Sequence, residues 1–258
     1  MKKILKSINW KLFGVLYVLG LIGVISIIPY FLEIQKKWLE QLPISTEELI
    51  LASTMQNAVL IAIFIFVGLL LGKNVGLTSP LLEKWTRKEK SNLNVQKLVT
   101  QSIGLGVCTG IIIIAADFLF KQMGVSIEIE GAVQPAVWKG FLASFYGGIT
   151  EELQLRLFFM TFIVWLMYKF SKGKLKPAHY WSAIIISAFL FGLGHLPILM
   201  NLVDSSSLLI FRTILLNMIG GIVFGWLFWK KGLESAIIAH FSGDIMLHVI
   251  TPLLLTLL

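Results

Sequence analysis

The sequence predicts an all-α fold: a polytopic bundle of about seven or eight transmembrane helices that encloses an intramembrane cavity. Hydrophobic residues make up 57% of the 258 residues and charged residues only 14%, a balance that a soluble domain does not need for its core. The apolar residues form runs long enough to cross a bilayer, separated by short basic connections. Several of these runs contain ionisable side chains, which normally face a protein interior or a water-filled cavity.

The apolar runs place the spans along the chain. The first run, at 12–32, is too long for a signal-peptide core and lacks a small-residue cleavage pattern, so we predict a retained span. It follows four lysines, Lys2, Lys3, Lys6 and Lys11. The other spans are predicted at 49–71, 99–120, 136–170, 180–202, 208–229 and 233–249. The closing residues 250–258 either end the seventh span or form a short eighth element.

The distribution of charge predicts the orientation of the bundle. Most of the 22 lysines and arginines lie before the first span and in the connections after the second, fourth and sixth spans. The positive-inside rule therefore predicts a cytoplasmic N-terminus, and we expect an integral protein of a bacterial plasma membrane, surrounded by membrane lipid. Because the basic residues are confined to the gaps between apolar runs, nucleic-acid binding is not expected. Cys108 is the only cysteine, which excludes an intrachain disulfide and thiol metal clusters.

Three local patterns predict structural details. The segment SPLLEKWTRKEK at 79–90 predicts either an interfacial helix or a solvated loop. The spacing Gly106-x-x-x-Gly110 in the third span permits close helix packing, and Pro197 with its neighbouring glycines predicts a break just after His195. Within one integrated bundle, residues 1–135 form the first three spans with a basic connection, and residues 136–258 form the candidate catalytic core.

The segment Phe141–Arg156, FLASFYGGITEELQLR, places two adjacent carboxylates and an arginine inside the fourth span. A charge near the bilayer centre costs about 2.5–3.5 kcal/mol on insertion scales, so Glu151, Glu152 and Arg156 indicate a functional site. On a helix Glu152 and Arg156 are one turn apart and can pair, whereas Glu151 is rotated by about 100° to an adjacent face.

Further ionisable side chains lie in the fifth and seventh spans. His195 lies in the fifth span, and His240 and Asp244 are four residues apart on one face of the seventh. These groups and Glu151 can converge on one cavity if helices four, five and seven are neighbours. A shared site is favoured because each isolated buried polar group would carry its own desolvation cost.

Four other ionisable residues receive a structural interpretation. His179 is expected at a membrane interface, and His248 close to the membrane edge. Asp117 and Arg212 are expected near the outer ends of their spans, where snorkelling accounts for the arginine.

Three short motifs in the second half of the chain resemble the signature of the CPBP family, the CAAX-protease and bacteriocin-processing intramembrane proteases, also called Abi proteins. The motifs are Glu151-Glu152-x-x-x-Arg156, Phe191-x-x-x-His195 and His240-x-x-x-Asp244. Their order, spacing and placement in apolar spans fit the family, while the first three spans are covered by no motif. The resemblance implies a helical bundle with a membrane cavity and hydrolysis of a peptide bond near the C-terminal part of a substrate.

The resemblance also implies catalytic roles. Glu151 would activate a water molecule with help from His195. His240 would stabilise the oxyanion of the tetrahedral intermediate, with Asp244 beside it.

Two parts of the pattern need separate interpretation. By resemblance, Glu152 and Arg156 hold the fourth helix in register and set the local charge. Asp244 departs from the eukaryotic members, which have Asn at this position. Asn can donate a hydrogen bond to an oxyanion and an ionised Asp cannot, so Asp244 is expected to be protonated, to orient His240 or to bind a cation.

The need for a metal has two possible answers. Two histidines and a carboxylate are an acceptable ligand set for zinc with an open position for water, and the candidate ligands are Glu151, His195, His240 and Asp244. The tight spacing H-E-x-x-H of soluble zinc proteases is missing from the sequence. We therefore favour a metal-free glutamate mechanism with no required cofactor.

The leading functional hypothesis is an intramembrane endopeptidase, glutamate-dependent or metal-dependent, that acts on a small peptide or a membrane-associated precursor. A non-catalytic membrane immunity or partner protein that retains the motifs is an alternative. A proton-coupled transporter also uses buried Glu, Asp and His groups, but the sequence contains no inverted repeat of the kind expected of one. The sequence makes no prediction of oligomeric state.

Overall fold

The computed structural model describes residues 8–126 and 135–257, with side chains up to Leu255. The basic residues Lys2, Lys3 and Lys6, which contribute to the predicted orientation, lie outside these ranges. Helices account for the regular structure, and the described residues contain no β-strand. The predicted all-α class is confirmed.

Seven helices are long and apolar enough to cross a membrane, in agreement with the predicted spans. They are α1 Trp10–Ile34, α2 Thr46–Val75, α3 Val95–Gln122, α4 Val137–Phe170, α5 Pro177–Leu202, α6 Ser207–Lys231 and α7 Leu233–Leu255. Local signals set several of their ends. Ser45 and Glu48 form a capping box at the start of α2, and Gly76 ends that helix with a left-handed φ of 69°.

Four of the spanning helices are irregular: α1, α4, α5 and α7. α1 consists of Trp10–Ser26 and Ile28–Ile34, and α5 of Pro177–Gly194 and Leu196–Leu202. The break in α5 confirms the prediction of an interruption at His195, because Pro197 has no N–H with which to continue the helical hydrogen bonds. α7 continues through a π-helical turn into Thr251–Leu257, so the closing residues extend the seventh span and no separate eighth element forms.

The basic connection between α2 and α3 contains a short helix, Pro80–Arg87. This resolves the alternative between a helix and a loop in favour of the helix. Its first turn is held by Glu234 at the start of α7, whose Oε1 accepts hydrogen bonds from Ser79 Oγ at 2.7 Å and from Leu82 N at 2.8 Å. A buried carboxylate at a helix N-terminus satisfies backbone N–H groups that would otherwise lack partners.

The packing of the helices brings together the spans that carry the motifs. α4 packs against both α5 and α7, and α6 lies between α5 and α7 and contacts each. α1 and α2 pack against the other side of α4. One buried apolar cluster takes side chains from six of the seven spans, including Leu16, Ile65, Leu157, Ile184, Phe228 and Ala239.

The small-residue motif of α3 lies against α7. A Cβ atom built at Gly106 would overlap the backbone oxygen of Ala239, and one at Gly110 would lie 2.7 Å from Met246 Cβ. Both glycines therefore permit the close approach that their spacing predicts. Gly104, on the same helix, has no neighbouring atom within 4 Å of the same construction.

This difference predicts opposite responses to the same substitution. We expect Gly106→Ala to lower the free energy of unfolding by about 1–3 kcal/mol, because the backbone of α7 has to move away. Gly104→Ala is the matched control and is expected to be neutral or slightly stabilising, since alanine favours the helix. Equilibrium unfolding in mixed detergent micelles measures both. Equal destabilisation by the two variants would contradict the close packing of α3 on α7.

Candidate active site

A cavity of about 320 Å³ lies between the helices and has the predicted site residues in its wall. Glu151 comes from α4, His195 from α5, and His240 and Asp244 from α7. Residues of α1, α3 and α6, most of them apolar, complete the lining. The structure thus brings four ionisable residues from three helices to one cavity.

Glu152 fixes the ring of His240. His240 Nδ1 lies 2.8 Å from Glu152 Oε1, and both side chains are buried. Because an ionised carboxylate only accepts hydrogen bonds, Nδ1 carries the hydrogen and Nε2 remains on the side of the cavity. The ring also stacks on Phe224 at a centroid distance of 4.5 Å and meets the edge of Phe191.

The predicted pair of Glu152 and Arg156 is present. Arg156 Nη1 lies 3.2 Å from Glu152 Oε1, and both side chains are completely buried. Arg156 Nη2 donates to the backbone oxygen of Gly221 on α6, and its guanidinium lies 5.3 Å from the ring centre of Phe191. Arg156 therefore neutralises the carboxylate that holds His240, in addition to linking α4 to α6.

The wide winding of α4 at the site was not predicted. Residues Tyr146–Glu151 and Leu153–Met160 form π-helical turns, which occur frequently at functional sites. At the first of these turns α4 approaches α7 closely. A Cβ atom at Gly147 would overlap Asp244 Oδ2, and one at Gly148 would lie 2.8 Å from Phe241 Cβ.

Glu151 and Asp244 both lie near His240 Nε2. Glu151 Oε2 and Asp244 Oδ1 are each 3.7 Å from this nitrogen, which is longer than a hydrogen bond. Of the roles expected for Asp244, the orientation of His240 is supplied by Glu152 through Nδ1. A water molecule or an oxyanion in the cavity can therefore approach Nε2 and the Glu151 carboxylate together.

His195 is oriented by the main chain at the break in α5. Its Nδ1 lies 2.9 Å from the carbonyl oxygen of Phe191, one turn earlier. A carbonyl only accepts, so Nδ1 is the donor and Nε2 keeps a lone pair in the neutral ring. The carbonyl is accessible because the backbone N–H of His195 donates to Gly192 instead.

Several polar residues of the cavity were not predicted from the sequence. Tyr30, Tyr146 and Asn217 line it, and so does His248, which was interpreted as structural. The Tyr30 hydroxyl lies 3.5 Å from His248 Nδ1. The spacing of His240, Asp244 and His248 by four residues contained a signal for His248, whereas nothing in the sequence around Tyr30 indicates its place.

Asp117 and Arg212 also differ from expectation. They form an ion pair between α3 and α6, in which Arg212 Nε lies 2.7 Å from Asp117 Oδ1. Arg212 is only 9% exposed, so the snorkelling interpretation is wrong for this residue.

The side chains of the cavity do not form a metal site as they are arranged. Both His195 and His240 keep Nε2 free and donate from Nδ1, as metal-binding histidines do. Yet nowhere in the described ranges are three or more His, Cys, Asp or Glu side chains grouped as ligands for a metal ion.

Comparison with known proteins gives a family match for the part of the chain that carries the site. No curated protein and no solved structure matches the chain. The family model described as type II CAAX prenyl endopeptidase Rce1-like matches residues 133–246. This range includes all three motifs and every predicted site residue. Residues 133–246 are therefore similar to the CAAX-protease family, and this similarity implies a protease of the membrane.

Proposed function

We propose that this protein is an intramembrane endopeptidase in which Glu151 acts as the general base on a water molecule held in the cavity. The observation that carries the proposal is the arrangement around His240. Its ring is fixed from behind by Glu152, and its free nitrogen faces the carboxylate of Glu151 at 3.7 Å. A base and a hydrogen-bonding group close together in one cavity are what addition of water to a carbonyl requires.

Glu151 moves the proton in both halves of the reaction. Its carboxylate takes a proton from the water as the water oxygen bonds to the carbonyl carbon of the scissile peptide. The resulting carboxylic acid then gives the proton to the amide nitrogen as the carbon–nitrogen bond breaks, which releases an amine and a carboxylic acid. The lone pair on His195 Nε2 accepts a hydrogen bond from the water and aligns it.

His240 stabilises the oxyanion that forms in between. In its cationic form the ring donates from both nitrogens, from Nδ1 to Glu152 and from Nε2 to the oxyanion. The carboxyl groups of Glu151, Glu152 and Asp244 surround the ring and compensate its charge. A donor fixed before the reaction acts without reorganisation in this water-poor space.

The position of the cavity supports a proposal for the substrate class. The space lies inside the bundle, and isoleucine, leucine and phenylalanine side chains form much of its wall. A peptide bond reaches Glu151 only if its segment is apolar and already at the membrane. We therefore assign a small peptide or a membrane-associated precursor as the substrate.

The direct test is cleavage by the purified protein in lipid nanodiscs, with candidate membrane-associated peptides as substrates and mass spectrometry of the products. We expect wild-type protein to cleave and His195→Ala to lower kcat about 100-fold, because the water loses its second partner. His179→Ala is the matched control, since this histidine caps the start of α5 outside the cavity. Equal rates for all three proteins would contradict the proposed role of the cavity.

Removal of metal tests the second part of the proposal. Cleavage is expected to continue at an unchanged rate after treatment with a chelator, and metal analysis of the purified protein is expected to find less than stoichiometric zinc. Stoichiometric zinc together with loss of cleavage in chelator would overturn the metal-free mechanism while leaving the peptidase activity in place.

A further inference from the structure

A second cavity, of about 470 Å³, lies far from the motifs at one end of the bundle. Its wall is formed by Gly76 at the end of α2, by 93–101 at the start of α3 and by 228–232 at the end of α6. We infer that this cavity binds a phosphate-bearing anion, the phosphodiester headgroup of an anionic membrane lipid.

The wall of this cavity carries positive charge. It contains three lysines, Lys97, Lys230 and Lys231, and none of them forms an ion pair with a carboxylate of the described chain. Lys231 Nζ instead donates to Gln101 Oε1 at 2.6 Å. The acid next to this wall, Glu234, directs its Oε1 to Ser79 and Leu82. The lysine charges are thus available to an anion.

Part of the same wall is apolar. Leu93, Leu98, Phe228 and Trp229 line the cavity beside the lysines. Lys230 Nζ lies 3.4 Å from the ring centre of Trp229, so this cation is held against an aromatic ring that also stacks on Tyr180. Tryptophan with lysine is the combination typical of the headgroup level of a bilayer. A lipid offers both halves, since its phosphodiester meets the lysines and its glycerol and acyl carbons meet the apolar side chains.

The side of the membrane on which the cavity is predicted to lie also favours an anionic lipid. The ends of α2 and α6 and the start of α3 lie on the side that the basic connections predict to be cytoplasmic. Basic pockets between transmembrane helices on this side bind the headgroups of anionic lipids, with a contribution of about fivefold in affinity for each lysine near the surface. Three lysines in one concave wall therefore favour an anionic lipid strongly over a zwitterionic one.

The test compares lipid binding by native mass spectrometry of detergent-solubilised protein with phosphatidylglycerol and with phosphatidylcholine. The cavity variant is Lys97→Gln with Lys230→Gln and Lys231→Gln. The control variant is Lys84→Gln with Lys90→Gln and Lys174→Gln, which removes the same charge from lysines outside the cavity. A second pair, Gln101→Glu with Thr100→Glu as its control, adds a carboxylate inside or outside the wall. Unfolding in phosphatidylcholine nanodiscs shows that each variant is folded.

We expect the cavity variant and Gln101→Glu to bind phosphatidylglycerol at least about tenfold more weakly than wild type, while both controls stay within about threefold. Equal losses in the cavity and control variants would show general attraction to a basic surface and would overturn the inference. A further arm adds inorganic phosphate and glycerophosphate at constant ionic strength. Displacement of the lipid by either one would keep the anion site but overturn the membrane lipid as its ligand.

Discussion

Replacement of Glu151 by glutamine is expected to lower kcat for peptide cleavage by about 1,000-fold. The amide has nearly the shape of the carboxylate but cannot take a proton from water, and general-base catalysis contributes about 100- to 10,000-fold. The Glu151 carboxylate is 3.7 Å from His240 Nε2, so its loss removes no direct hydrogen bond to that ring. The free energy of unfolding is therefore expected to change by no more than about 3 kcal/mol, the usual range for a single substitution.

The control for this variant is Glu47→Gln, the same change at an exposed position in the first turn of α2. Its cleavage rate should equal that of wild type. Substrate titration of both variants separates kcat from KM, because loss of a base lowers kcat and leaves substrate binding in place. If Glu151→Gln keeps a rate within about threefold of wild type, Glu151 is not the base.

Replacement of Arg156 by methionine is expected to lower the free energy of unfolding by about 3–5 kcal/mol. The change leaves the carboxylate of Glu152 in the protein interior without its cation, and an uncompensated buried charge is costly. It also removes the hydrogen bond to the Gly221 carbonyl. Equilibrium unfolding in mixed detergent micelles measures the loss.

The chain contains a matched control for this pair. Glu83 and Arg87 have the same residue types and spacing, with a distance of 2.8 Å, but the Arg87 side chain is 43% exposed. Arg87→Met is expected to cost less than about 1 kcal/mol, because water screens a surface pair. Adding Glu152→Gln to Arg156→Met should restore part of the stability, since neither charge of this buried pair then remains. A similar small loss at both arginines would contradict the burial of the charge on Arg156.

The sequence predicted those features that depend on local pattern. Run length and apolarity located the seven spans, and a four-residue spacing was enough to pair Glu152 with Arg156. The break at His195 followed from Pro197, which lacks a backbone donor. These properties are fixed by residues within one or two helical turns of each other.

The remaining features depend on how distant helices pack. The bond between Glu152 and His240 joins residues 88 positions apart, and its geometry depends on the π-helical winding of α4, which periodicity does not reveal. The contact of Tyr30 with His248 joins α1 to α7 in the same way. Family motifs cover only the second half of the chain, so the contribution of α1 to the cavity could come only from the structure.

Two imidazoles of the cavity, those of His195 and His240, differ in how well they tolerate mutations nearby. His195 is held by a backbone carbonyl of its own helix. Every amino acid at position 191 provides this carbonyl. Its orientation therefore tolerates drift in the side chains around it. The ring of His240 is held by the carboxylate of Glu152, which is in turn paired with the guanidinium of Arg156. A substitution at either residue therefore changes the position of the ring. Evolution has more freedom around one histidine than around the other.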